Sequence, residues 1–302
     1  MFKARLKNNR SLVLVSNFCF LLFLGACTKK ETLKPLPTPT TTPTTTSPRA
    51  ELALDPSEYT EIIWGDEFNG TSLDMTKWTP QLGNGCDIGN CGWGNNEKQF
   101  YTDKPANLQV SGGNLVITAL KESTQGSEYS SARIRTFNKG DWTYGKIEVK
   151  AKLPKGQGVW PAIWMLPTDE KLGGWPKSGE IDIMELRGQT PNTVLGTVHF
   201  GPAWPNNKNK GSEYVLANND FSNDFHVFSV IWSKDKIRWY VDGTLFYTIN
   251  ATDLAPETYP FNNRFHMILN LAVGGNFLGD PDQTTILPQQ LIVDYVRVYH
   301  PK

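Results

Sequence analysis

The chain predicts an all-β domain, a jelly-roll sandwich of two antiparallel sheets, and three features of its sequence lead there. From residue 58 onward it is a succession of short alternating or β-branched runs separated by Gly, Pro and Asn. One pair of runs flanks Val241-Asp242-Gly243-Thr244, and Asp-Gly between apolar and aromatic residues is a strong two-residue hairpin signal. No stretch shows the apolar spacing of a helix of three turns.

Taken in order, the runs are 114–120 (NLVITAL), 131–136 (SARIRT), 144–153 (YGKIEVKAKL), 193–200, 225–233, 236–250 around the hairpin, 265–273 and 291–299. In 144–153, Ile147, Val149 and Ala151 face one way while Lys146, Glu148, Lys150 and Lys152 face the other, as in a half-buried strand. About ten or more strands in ~240 residues call for two stacked sheets. Neither a second domain boundary nor an internal repeat interrupts 57–302.

The 302 residues include 30 Lys and Arg against 30 Asp and Glu. No basic excess exists to neutralise a phosphate backbone, so a nucleic-acid partner is excluded. The chain has ten Trp. Most belong in the core, which leaves several flat rings for a sugar-binding cleft.

Before residue 57 the sequence reads as targeting and spacing. Lys3, Arg5, Lys7 and Arg10 precede an apolar stretch from Leu12 to Leu24, too short to span a bilayer comfortably and placed as the core of a signal peptide. It ends in Leu24-Gly25-Ala26-Cys27, which resembles the lipobox of bacterial lipoproteins. That resemblance implies cleavage after residue 26 and a lipid on Cys27; the alternative is an ordinary signal peptide with Cys27 left as a free thiol. Loss of 1–26 leaves 26 basic against 30 acidic groups. Thr28, rather than Asp, follows the Cys. An outer-membrane or surface position on a Gram-negative cell is therefore expected. Residues 27–56 carry the tract TPTTTPTTTSP, an extended spacer with almost nothing to bury. Cys86 and Cys91, five apart in a Gly/Asn-rich loop of an exported protein, suggest a disulfide rather than a metal pair.

The chemistry concentrates in GEIDIMEL (179–186), where three carboxylates interrupt an apolar run. A regular strand would put Glu180 and Asp182 on one face and Glu185 on the other, among Ile181 and Ile183, a costly place for a charge. A β-bulge near Ile183-Met184 rotates Glu185 onto the face of the other two acids. At strand rise the Cα atoms of Glu180 and Glu185 then lie ~13 Å apart. Side chains leaning inward bring the carboxyls to about 5–6 Å, near the ~5–5.5 Å of a retaining glycosidase. The accumulated charge raises the pKa of whichever acid must stay protonated. By spacing alone, a solvated strand face and a calcium site stay open as alternatives.

GEIDIME resembles the active-site signature of glycoside hydrolase family 16 in the bulged form typical of laminarinases. WGDEFNG (64–70), GWGNNEKQFYT (92–102), YGKIEVKAKLPKGQGVWPAIWMLP (144–167), GTVHF (196–200), LNLAVGGN (269–276) and VDYVRVY (293–299) follow in the family's order. The resemblance covers about 60–300 and implies a jelly roll with an open cleft across a concave sheet. Glu180 would be the nucleophile, Glu185 the acid/base and Asp182 their electrostatic helper. It also places Trp160, Trp164 and His199 at the cleft, and Asn96 and Arg133 in glycone subsites. Trp175 would stack on a sugar or cap a loop. Glu67, the carbonyl of Gly113 and Asp294 correspond to a structural calcium site on the convex side, oxygen ligands that suit this ion; no cofactor is expected for catalysis.

The implied substrate is β-1,3-glucan or mixed β-1,3/1,4-glucan, cleaved by a monomer. A marine galactan such as agar or carrageenan is the rival substrate, although relatives acting on those depart from the GWGNNE and WPAIWML blocks kept here. A non-catalytic glucan-binding relative would usually lack one of the two glutamates. One departure stands out: relatives often place Trp after GGN, and this chain has Phe277.

Overall fold

The alternating runs become strands in a computed structural model that describes residues 55–302; the expected signal peptide, Cys27 and the Thr/Pro tract lie outside the described residues. In chain order the strands are β1 (Tyr59–Asp66), β2 (Thr79–Pro80), β3 (Gln99–Tyr101), β4 (Leu108–Ser111), β5 (Asn114–Thr124) and β6 (Ser127–Ser131). Then come β7 (Arg133–Arg135), β8 (Asp141–Trp142), β9 (Gly145–Lys152), β10 (Val159–Pro167), β11 (Glu180–Leu186) and β12 (Thr193–Phe200). The last six are β13 (Lys208–Val215), β14 (His226–Ser233), β15 (Lys236–Val241), β16 (Thr244–Asn250), β17 (Phe265–Val273) and β18 (Gln289–Pro301). Helical structure among the described residues is confined to short 3-10 turns.

The strands form two sheets, and the fold is an all-β jelly roll. The first runs β16-β15-β14-β9-β18-β5-β6-β3, with β1 on β18 and β4 on β5. The second runs β13-β12-β11-β10-β17-β7-β2, with β8 on β17. Pairings are antiparallel except that of β3 with β6. Asp242 and Gly243 both take positive φ, +48° and +77°, the left-handed pair that a tight hairpin between β15 and β16 requires.

The half-buried reading of β9 is borne out: Ile147, Val149 and Ala151 are buried and their neighbours are not. They face Ile163 and Met165 of β10, Ile181, Met184 and Leu186 of β11, and Met267, Leu269 and Leu271 of β17 within one hydrophobic cluster. The second sheet therefore gives its inner face to the core and its outer face to the carboxylates. The run 131–136 differs from expectation, because it is two strands. The chain leaves the first sheet after Ser131, passes through the buried Ala132 and enters the second sheet at Arg133.

Candidate active site

Strand β11 carries the expected bulge. Against β10, Ile163 pairs with Met184 and Trp164 with Asp182, so Ile183 is the extra residue. Against β12, Asp182 pairs with Thr197 and Glu185 with Leu195. Ile181, Met184 and Leu186 thus point into the core, while Glu180, Asp182 and Glu185 share the outer face. One contact from the other sheet holds this irregular stretch. The Trp239 indole N–H donates to the Asp182 carbonyl at 2.8 Å. Gly196, opposite the bulge, makes room for it, since a Cβ there would lie 2.4 Å from Trp239 Cδ1.

The three acids sit in unlike surroundings. Glu180 accepts from the Trp175 indole N–H at 2.7 Å, and Glu185 accepts from the Trp160 indole N–H at 3.1 Å. Between them Asp182 is 2 % exposed. Its carboxyl is raised well above the usual range by burial and then by the charges of Glu180 and Glu185. Burial also pushes Glu185 up to about 7; His199 opposes the rise, the charge of Glu180 adds to it, and the Trp160 N–H and Arg187 oppose it. His199, cross-strand from Glu180, has Nε2 3.4 Å from Asp182 Oδ2 and 3.8 Å from Glu180 Oε1. Burial pulls its pKa down, but the Asp182 contact and the surrounding carboxylates outweigh that and take it up to about 10. The donor atoms of Glu180, Asp182 and His199 lie within 4.8 Å of one another, close enough for a metal site. The same three groups lie close enough to exchange protons among themselves.

Across β10 and β17 the face turns aromatic and basic. Arg133 is packed between the rings of Trp93 and Trp164, 4.4 and 4.8 Å from their centroids, and its Nε donates to Gln81 at 2.7 Å. The Trp164 N–H donates to Asn270 Oδ1 at 2.7 Å. Asn96 does not reach that group: its amide donates to Asn276 at 2.9 Å and ties two rim loops together. Trp160 does not offer an open ring. It is 8 % exposed and lies against Phe277, whose centroid is 4.8 Å away, while the Arg187 guanidinium lies 4.2 Å from Phe277. The Phe that departs from the family pattern thus wedges the indole that holds Glu185. Trp175 keeps a ring at the rim, 44 % exposed.

Sequence reasoning passed over Trp93, Arg187 and Asn270 as single residues. Asn270 was the most accessible of these, an amide inside the apolar run FHMILNLAV that burial obliges to find partners. Cys86 and Cys91 form the expected disulfide, and Trp93 follows directly in the same loop.

The residues expected to bind calcium lie away from this face. Glu67 accepts from both Nε and Nη2 of Arg297, at 2.7 and 2.8 Å, and Asp294 pairs with Lys150 at 2.6 Å. Gly113 sits in the turn between β4 and β5 with φ +75°. The oxygens are of the right kind, but each carboxylate is already neutralised by its own cation. As arranged, these residues do not fit a calcium ion.

Residues 91–290 match the model of the glycosyl hydrolases family 16. The chain is 46% identical over 256 residues to glucan endo-1,3-beta-glucosidase A1 of Niallia circulans, covering 79% of this chain and 37% of that protein. It is 42% identical to a beta-glucanase of Rhodothermus marinus, over 81% of this chain and 87% of the relative. Among solved structures, the laminarinase catalytic domain of Thermotoga maritima superposes with a TM-score of 0.74 at 44% identity, covering 79% of this chain and 97% of that one. With the bulged strand, its three outward acids and these relatives together, the chain belongs to family 16 of the glycosyl hydrolases.

Proposed function

We propose that the protein is a retaining endo-β-1,3-glucanase with Glu180 as nucleophile and Glu185 as acid/base. The observation that carries the assignment is the difference between two glutamates on one face. Glu185 is raised to about 7 and can hold a proton for a leaving oxygen near neutral pH, while Glu180 is steadied by an indole N–H. Glu185 gives its proton to the glycosidic oxygen as Glu180 bonds to the anomeric carbon and the C–O bond breaks. Glu185 then takes a proton from water, which displaces Glu180 from the same carbon and restores both groups. Asp182, with His199 beside it, keeps the charge between the glutamates low. Carboxyls and water suffice for this sequence. Calcium is not part of it, because Arg297 and Lys150 already neutralise Glu67 and Asp294.

The substrate reading is supported by the relatives, named as glucan endo-1,3-beta-glucosidase and laminarinase, and by Trp164 and Trp175, which keep ring surface open on the face of the acids. The outer face of an open sheet admits a chain at its middle, which gives internal cleavage. Laminarin should yield a range of oligosaccharides quickly, mixed-linkage glucan more slowly, and cellulose, xylan and starch nothing. NMR of the first products should show the β-anomer. Release of the α-anomer would remove the retaining assignment, and activity confined to agarose or carrageenan would remove the substrate.

We also propose that the protein acts as a monomer carried on a lipidated Cys27 in the outer membrane or at the cell surface. The lipobox, Thr28 after the Cys and the Thr/Pro spacer support this.

A further inference from the structure

Asn270 stands on β17 between Leu269 and Leu271 of the core, so its side chain joins Trp164 on the outer face. It is nonetheless only 4 % exposed, and a buried amide must find partners for both of its ends. They come from two directions. The Trp164 indole N–H donates to Asn270 Oδ1 at 2.7 Å, and Asn270 Nδ2 donates to the Tyr101 hydroxyl at 3.1 Å. The hydroxyl in turn donates to Glu97 Oε2 at 3.2 Å. The order of donors is forced. An indole N–H only donates, which turns the amide oxygen toward Trp164 and the amide nitrogen toward Tyr101. The Tyr101 oxygen then accepts, and its hydrogen is left for a carboxylate, which only accepts.

The far end of this chain is anchored. Glu97 Oε2 also accepts from Gln99 Nε2 at 2.6 Å, and Gln99 Oε1 accepts from the Val273 N–H at 2.7 Å, at the end of β17. The Lys98 N–H donates to the Val273 carbonyl at 2.8 Å. The segment that enters β3 is thus fastened to the same strand that carries Asn270. Tyr101 has no exposed surface, and its ring lies 5.4 Å from that of Trp93. It cannot touch a sugar. Trp164 can, since part of its ring stays open, and in the register it stands opposite Asp182 beside the acids. Turning that ring would break the indole bond and leave the Asn270 oxygen buried and unpaired, a cost that holds the ring in one orientation. Tyr101 secures the amide against following the ring, because Asn270 could turn only by giving up the hydroxyl as well.

We propose that Tyr101 is a positioning residue for cleavage: acting through Asn270, it fixes the plane in which Trp164 meets a sugar ring beside the acids. The inference rests on the glucanase reading above. The test is a double-mutant cycle in the full-length protein with laminarin as substrate. Tyr101→Phe keeps the buried ring and removes only the hydroxyl, and it should lower kcat/KM about tenfold. In a Trp164→Phe background no indole N–H remains to be oriented, so there the same change should cost less than about twofold. Asn270→Leu keeps the shape of the side chain and suits the apolar run around it. It should give the same pair of results, and it keeps the cycle available if Tyr101→Phe does not fold. NMR supplies a readout apart from activity. The Trp164 indole N–H resonance, identified by its absence from Trp164→Phe, should move in Tyr101→Phe although the two residues do not touch. Equal losses of kcat/KM in the two backgrounds, or an indole resonance that stays in place, would overturn the positioning role and leave the glucanase reading standing. A wild type that does not cleave laminarin would overturn the glucanase reading, and with it any part for Trp164 and Tyr101 in cleavage.

Discussion

Two indole N–H groups hold the two outer glutamates, and both come from residues that the sequence marks as platforms for sugar. A strand pattern tells which face a Trp joins; it does not tell whether a neighbour covers the ring. Phe277 covers Trp160, and what remains to Trp160 is its N–H on Glu185. The three acids were legible because charges in an apolar run need a reason. Arg187 was not, since its partner Phe277 is brought to it by the fold. The Trp160 bond predicts a pH effect. Glu185 must be protonated to donate, so kcat/KM should fall on the alkaline side through a pKa of about 7. The indole N–H favours the ionised carboxylate, so its removal raises the pKa and keeps the acid protonated to higher pH. In Trp160→Phe the alkaline limb should move up by about one pH unit, as expected for loss of a hydrogen bond to a charged group. The maximal rate should fall because Glu185 loses a positioning contact. A limb that stays in place or moves down would show that the bond does not set the acidity of Glu185.

At the scale of the element, the bulge of β11 was legible for a reason other than the resemblance. A regular strand would have buried Glu185 among isoleucines, and one extra residue is the least costly remedy. The crossing at Ala132 was not legible, because SARIRT alternates equally well whether its two halves share a sheet or not. How the bulge is held was also hidden, since Trp239 comes from the opposite sheet. Its N–H reaches the Asp182 carbonyl only because Gly196 has no side chain. Gly196→Ala should therefore displace a fully buried ring, with a cost of about 1–3 kcal/mol for overpacking. It should also lower activity at temperatures where the variant remains folded, through the loosened Asp182. Thermal unfolding with kcat measured well below the transition tests both parts. An unchanged melting temperature would mean that the ring has room to retreat, and normal kcat in a destabilised variant would separate Trp239 from the site.

For the whole molecule, the sequence divides into a part whose physics is folding and a part for which we propose tethering. The sandwich follows from alternation and turn chemistry over 57–302. The segment before it has no apolar pattern apart from the stretch that ends at Cys27, and that residue lies outside the described ones. The anchor therefore rests on the sequence and needs its own test. The Thr/Pro-rich stretch 28–56 reads from its sequence as a spacer between the proposed lipid and the domain. In that reading the lipid has no part in the chemistry of Glu180 and Glu185. A single acyl chain binds membranes weakly, whereas the several chains of a lipoprotein Cys do not let go. Cys27→Ala should accordingly move the protein from the membrane fraction to the soluble one, remove its labelling by radioactive fatty acid, and leave kcat/KM on soluble laminarin within about twofold of the wild type. A variant that stays membrane-bound would assign retention to another segment. Loss of activity on release would show that the tether does more than hold the domain at a distance.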